Sequence, residues 1–240
     1  MFPLRHLRFL TGRRFPIGAR HQVRRRLPFG KRTAAVIAVF LPLAGPLAAA
    51  DCRIAVFGDS LVAGYGVAPQ EAFPARLDAA LDAVGYADCE VRNAGVSGDT
   101  TAGGKARIDW VLADRPTHLL LELGANDALR ALPVAQMRDN LAFIIERAQA
   151  RGVAVLLAGM LAPPNLGEAY GRAFAAVYTE LAARFGIPLY PFFLDGVATD
   201  PRYLQADGLH PNAAGIEVVV ARILPTVTAW LRATGIEPAN

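Results

Sequence analysis

Between residues 51 and 240, short apolar runs alternate with longer segments in which apolar residues recur every three or four positions. The short runs near 53–57, 90–94, 118–123, 153–159 and 187–190 predict strands. The longer patterns near 71–84, 103–114, 133–151, 168–185 and 211–233 predict helices. Regular alternation of this kind builds βαβ units, so the expected fold class is α/β: a three-layer α/β/α sandwich on a five-stranded parallel sheet. Strands covered on both faces read as continuous apolar runs, and His118-Leu119-Leu120-Leu121 and Val153-Ala154-Val155-Leu156-Leu157 nearly do. A flavodoxin-like strand order, 2-1-3-4-5, is expected.

The two cysteines test that order. Cys52 lies six residues before Gly58 and Cys89 six residues before Gly95, the glycines that end the first two strands. If those strands are neighbours, the thiols face each other about 4.8 Å apart across the ladder, within reach of a disulfide. A Cys52–Cys89 bridge is therefore expected, against the alternative of two buried reduced thiols.

Charge is distributed unevenly. The first 50 residues hold ten of the 25 Lys and Arg and no acid, which leaves 15 basic against 21 acidic residues in 51–240, a balance of −6. The formal +4 and the isoelectric point of about 9.4 thus describe a leader, and no nucleic-acid surface is implied for the rest. A basic stretch, an apolar run from Thr33 to Leu47 and Ala48-Ala49-Ala50 before Asp51 form the pattern of a secretory signal peptide, cleaved near Asp51. Pro42, Gly45 and Pro46 weigh against an uncleaved span of about 20 residues. The expected product is a soluble periplasmic or secreted single domain over 51–240 with no stable membrane span after cleavage; its oligomeric state is left open, with a monomer favoured. Export route is left open: Arg13-Arg14 and Arg25-Arg26 are each followed closely by proline.

Four polar clusters each follow a strand: Gly58-Asp59-Ser60-Leu61, Asn93 to Thr100, Gly124-Ala125-Asn126-Asp127, and Asp207-Gly208-Leu209-His210-Pro211. A parallel sheet gathers strand ends of one polarity on one rim, where open α/β folds place their ligands. Ser60 is then a candidate nucleophile, although Ser and Asp at this position are also ordinary turn and cap residues. A serine needs an imidazole to take its proton and a carboxylate to orient that imidazole. Only His118 and His210 lie beyond the leader, and His118 opens the third strand at the far edge of the sheet. His210 is left as the base, with Asp207 three residues earlier as its orienter or, alternatively, as a helix cap. The backbone N–H groups of Ser60 and Gly98 and the Asn126 amide are candidate oxyanion donors.

With these residues in hand, the chain resembles the SGNH hydrolases, or GDSL esterases and lipases, whose four blocks centre on Ser, Gly, Asn and His. The matching stretches are VFGDSLVAGYG with Ser60, NAGVSGDTTAGG with Gly98, LELGANDALR with Asn126 and DGLHPN with Asp207 and His210, in order and spanning essentially all of 51–240. The similarity is greatest to the bacterial periplasmic thioesterase, lysophospholipase and arylesterase subgroup. It implies a small exported hydrolase of fatty-acyl thioesters, lysophospholipids and aromatic esters without metal or organic cofactor, with Ser60 as nucleophile, His210 as base, Asp207 as orienter, and Ser60, Gly98 and Asn126 as the oxyanion hole. It also implies an acyl groove lipped by the loop after the fourth strand, with Leu61, Met160, Leu161, Pro163 and Leu166 as substrate-binding residues. That loop departs from the subgroup's pattern, which leaves acyl length open.

Rival readings are weaker. Val62 stands where the G-x-S-x-G turn of α/β-hydrolases needs glycine, and Asp99 and Ala106 break a phosphate loop ending at Lys105. A hard-cation site built from Asp59, Asp99, Asp127 and Asp207 competes with the structural jobs those oxygens have in a triad. A carbohydrate O-acetyl esterase on the same machinery, or a non-catalytic acyl- or glycan-binding module, remains as the alternative.

Overall fold

The computed structural model describes residues 51–239, so the leader, its apolar stretch and its cleavage site lie outside the described residues. Five parallel strands form one sheet in the order β2-β1-β3-β4-β5: β1 Cys52–Gly58, β2 Cys89–Gly95, β3 His118–Glu122, β4 Ala154–Ala158 and β5 Leu189–Tyr190. All five residues of β3 are buried, as expected of a central strand covered on both faces. β2 is an edge strand, and its exposed Glu90 and Arg92 pair with each other.

The helices are α1 Ser60–Ala63, α2 Phe73–Ala83, α3 Thr101–Ala113, α4 Ala125–Leu129, α5 Val134–Gln149, α6 Glu168–Phe185 and α7 Ala213–Ala233. One layer pairs α2 with α7; the other sets α5 between α3 and α6. α7 is long and apolar, and Ile216, Val219, Val220, Ile223, Val227, Trp230 and Leu231 make a stripe at helical spacing that is buried in the core. Its start is fixed by Asn212, whose side chain accepts from the Gly215 N–H at 3.0 Å.

β5 is shorter than the sequence predicts, with two residues in place of the expected 187–190. Pro188 and Pro191 bracket it, and proline brings no N–H to a ladder. The single turns α1 and α4 escape a periodicity argument because each is too short to show a repeat.

Cys52 and Cys89 are register partners in β1 and β2, with Cα atoms 4.5 Å apart, and they form a disulfide. The bridge lies at the amino end of the strands. The polar clusters lie at the carboxyl end.

Candidate active site

β1 ends at Gly58, and the close approach of β3 explains why glycine stands there. A Cβ at that position would come within 2.6 Å of the Glu122 carbonyl oxygen and 2.3 Å of Val62 Cγ2. Asp59 caps α1 by accepting from the Leu61 N–H at 3.0 Å, and Ser60 becomes the first residue of that helix.

From 150 residues away, His210 brings Nε2 to 2.9 Å from Ser60 Oγ. Its Nδ1 lies 2.6 Å from Asp207 Oδ2, while Asp207 Oδ1 accepts from the N–H groups of Leu209 (2.9 Å) and His210 (3.1 Å). Asp207 is therefore placed to orient His210 and is not a helix cap: its Oδ1 closes a turn in the loop, and the last helix is capped by Asn212. Those backbone N–H groups, with the His210 ring, hold the Asp207 carboxyl down at about 2. Ser60, His210 and Asp207 thus form an unbroken hydrogen-bonded chain across the rim.

Asn126 Nδ2 donates to Asp59 Oδ2 at 3.0 Å, which orients the amide and leaves it a second N–H. Burial dominates Asp59 and raises its carboxyl to about 6, against the lowering effect of the Leu61 and Asn126 bonds. Gly98 adopts a φ of +84°, the left-handed region open to glycine, and its carbonyl accepts from Arg130. The loop that carries it is anchored by Arg107, which donates to Asp99 (2.6 Å), the Ala94 carbonyl (2.7 Å) and the Gly58 carbonyl (2.9 Å).

An apolar cavity of about 170 Å³ opens beside Ser60 and His210. Leu61, Met160, Leu161 and Pro163 line it as expected; Leu166 does not, because it sits on the 3₁₀ turn Pro164–Leu166 and packs against the core. Leu129, Leu194 and Leu209 also line it. These three leucines carry no signal in the sequence beyond position: Leu129 and Leu209 sit within three residues of Asn126 and His210. Gln205 carries none either: its Nε2 bonds the carbonyls of Tyr65 (2.7 Å) and Pro211 (2.9 Å), tying the serine segment to the histidine loop. The Tyr65 ring lies 4.6 Å from that of His210.

The four carboxylates considered for a cation are engaged separately. Asp59 serves Leu61 and Asn126, Asp99 pairs with Arg107, Asp207 holds His210, and Asp127 accepts from Thr101 N (2.8 Å) and Oγ1 (2.6 Å). His118 is buried at the amino end, between Thr117 Oγ1 and Thr234 Oγ1, each 2.8 Å away.

Fold and site together define the class: a three-layer α/β protein with a serine, histidine and aspartate in hydrogen-bonded series on its carboxyl rim. Residues 56–218 match the GDSL-like lipase/acylhydrolase family. Esterase TesA of Pseudomonas aeruginosa is 42% identical over 184 residues, covering 76% of this chain and 91% of the relative. Thioesterase 1/protease 1/lysophospholipase L1 of Escherichia coli is 38% identical over 175 residues, covering 72% and 82%. A crystal structure of TesA superposes with a TM-score of 0.72 at 41% identity, covering 75% of this chain and 99% of the other. The chain belongs to the GDSL-like lipase/acylhydrolase family, the SGNH hydrolases.

Proposed function

We propose that this chain is an exported serine esterase that hydrolyses carboxylic esters and thioesters through an acyl-enzyme. The observation that carries the reading is the 2.9 Å approach of Ser60 Oγ to His210 Nε2 from opposite ends of the domain, with Asp207 behind it at 2.6 Å. In the first half-reaction Ser60 Oγ attacks the substrate carbonyl carbon and its proton passes to His210 Nε2. The resulting oxyanion is held by the N–H groups of Ser60 and Gly98 and the free N–H of Asn126. As the tetrahedral centre collapses, the bond to the leaving oxygen or sulfur breaks and Nε2 returns the proton to it. Water then attacks the acyl-serine, giving its proton to Nε2, and the carboxylic acid leaves as Oγ recovers that proton.

The apolar cavity beside Ser60 supports an acyl substrate, as do the names of the relatives, which include an esterase and a thioesterase/lysophospholipase. Acyl thioesters, lysophospholipids and aromatic esters are the substrate class proposed. Removal of residues 1–50 and delivery to the periplasm or beyond are part of the proposal, supported by the leader's composition and by a disulfide suited to an oxidising compartment.

The test is turnover of p-nitrophenyl butyrate, then of thioesters, lysophospholipids and acetylated sugars of graded size, by the protein and its Ser60→Ala variant. Ser60→Ala should lower kcat on the order of 10⁶-fold with the fold intact. A loss below tenfold removes the nucleophile assignment, and a preference for acetylated sugars replaces the substrate class.

A further inference from the structure

One buried ionisable group next to the site has no part in the chemistry above. Glu122 ends β3, beside Gly58 of β1 and Ala158 of β4, and is 0% exposed. Neither of its carboxyl oxygens has a hydrogen-bond partner. Oε2 lies 2.8 Å from where a Gly58 Cβ would stand, so the carboxyl fills the space that the glycine leaves, one residue before Asp59 and two before Ser60.

The surrounding charges do not neutralise it. Arg107, which reaches this strand end from α3, directs its three donors to Asp99 and to the Ala94 and Gly58 carbonyls. Tyr178, from α6, donates its hydroxyl to the Leu123 carbonyl at 2.9 Å. Asp127, from α4, accepts from Thr101, and His210 lies beyond Asp59, against Ser60. The group that faces Glu122 most directly is Asp59, itself 0% exposed, whose N–H and carboxyl are turned toward it without completing a hydrogen bond.

An ionised carboxylate with no partner is too costly to bury, and two carboxyls in one dry site do not both ionise. Asp59 has two donors aimed at it, from Leu61 and Asn126, and these favour its ionised form. Glu122 completes no such bond, and burial, with Asp59 beside it, pushes its carboxyl well above the usual range. We infer that Glu122 is a positioning residue of the catalytic site: a neutral acid under the nucleophile turn, it holds the pair's one proton and keeps Asp59 the acceptor that aims the Asn126 amide. A hydrocarbon of similar volume fills the space equally well but supplies no proton to face Asp59. Ionising Glu122 puts a second negative charge below the developing oxyanion, opposing the charge that Asn126 is placed to stabilise.

The inference rests on the esterase reading, so its test uses two kinds of readout. Infrared spectra at pH 8 should show a protonated-carboxyl C=O stretch that Glu122→Gln removes, whether or not any ester is turned over. In kinetics, Glu122→Gln, neutral and of the same shape, should keep kcat within about threefold. Glu122→Met should lose about ten- to a hundredfold in kcat with KM held within about twofold, the scale of a misaimed oxyanion donor. In an Asp59→Asn background the extra cost of Glu122→Met should vanish, which a plain packing defect does not predict. The absence of the infrared band, equal losses for Gln and Met, or unchanged turnover by Glu122→Met would each overturn the inference. Should Glu122→Met not fold, the band and Glu122→Gln decide alone. A fully active Ser60→Ala sinks the esterase reading instead, and leaves the infrared result standing.

Discussion

Asp207 divides its work between two oxygens, and the division makes a single-atom test possible. Oδ1 accepts two backbone N–H groups and shapes the loop, while Oδ2 meets His210 Nδ1. Asp207→Asn can keep an oxygen at the first place and must then present NH₂ at the second. The imidazole is driven to the opposite tautomer, with its proton on Nε2, where it can no longer accept from Ser60. Turnover should fall by about 10³–10⁴-fold with KM and thermal midpoint close to the parent's. Steady-state kinetics beside a thermal melt checks this, and a loss below tenfold would remove Asp207 from its proposed role. The residues of this series were legible in the sequence because each has a chemical reason to exist. Gln205 was not, since a glutamine that bonds two carbonyls has no signature until the loops carrying Tyr65 and Pro211 are in place.

Among the elements, the sheet was the easiest to read. β1, β3 and β4 advertise themselves as apolar runs, and the matched six-residue offsets of Cys52 and Cys89 agree with the expected order that sets β2 beside β1. The edges were harder, because β5 is cut short by Pro188 and Pro191, and α1 and α4 are single turns whose existence depends on the strand ends they follow. The disulfide closes a loop with 37 residues of separation that contains α1, α2 and the whole Ser60 segment. Chain-entropy arguments give such a bridge about 4 kcal/mol. For a domain of this size that corresponds to a drop of roughly 8–16 °C in thermal midpoint on removing it. Cys52→Ala/Cys89→Ala, melted beside the parent under non-reducing conditions, measures the drop; a shift under about 2 °C would mean the sheet register alone holds the two strands.

At the scale of the whole molecule, two buried titratable groups at opposite ends of the sheet act against each other as pH changes. His118, 3% exposed at the amino end, is pushed down to about 4 by burial. It is held neutral by the fold, so its stabilising contribution is complete above pH 6.5 and is lost as the pH falls toward 4. Asp59 at the carboxyl end is raised to about 6, chiefly by burial. Its contribution runs the other way, complete below about pH 3.8 and lost as the pH rises through 6. Between pH 6.5 and about 4.5 these two slopes oppose each other, and Glu122, its carboxyl also raised by burial, adds to that of Asp59, so the parent's stability should rise on acidification. The variants separate them. His118→Gln leaves Asp59 and Glu122 unopposed, and stability should rise more steeply on acidification across that window. Asp59→Asn leaves His118 opposed by Glu122, and the rise on acidification should shrink, while at pH 8 the variant should exceed the parent because a buried charge is gone. Urea midpoints at pH 4, 5, 6.5 and 8 for the three proteins provide the measurement. Parallel curves for all three would show that neither group titrates differently on folding.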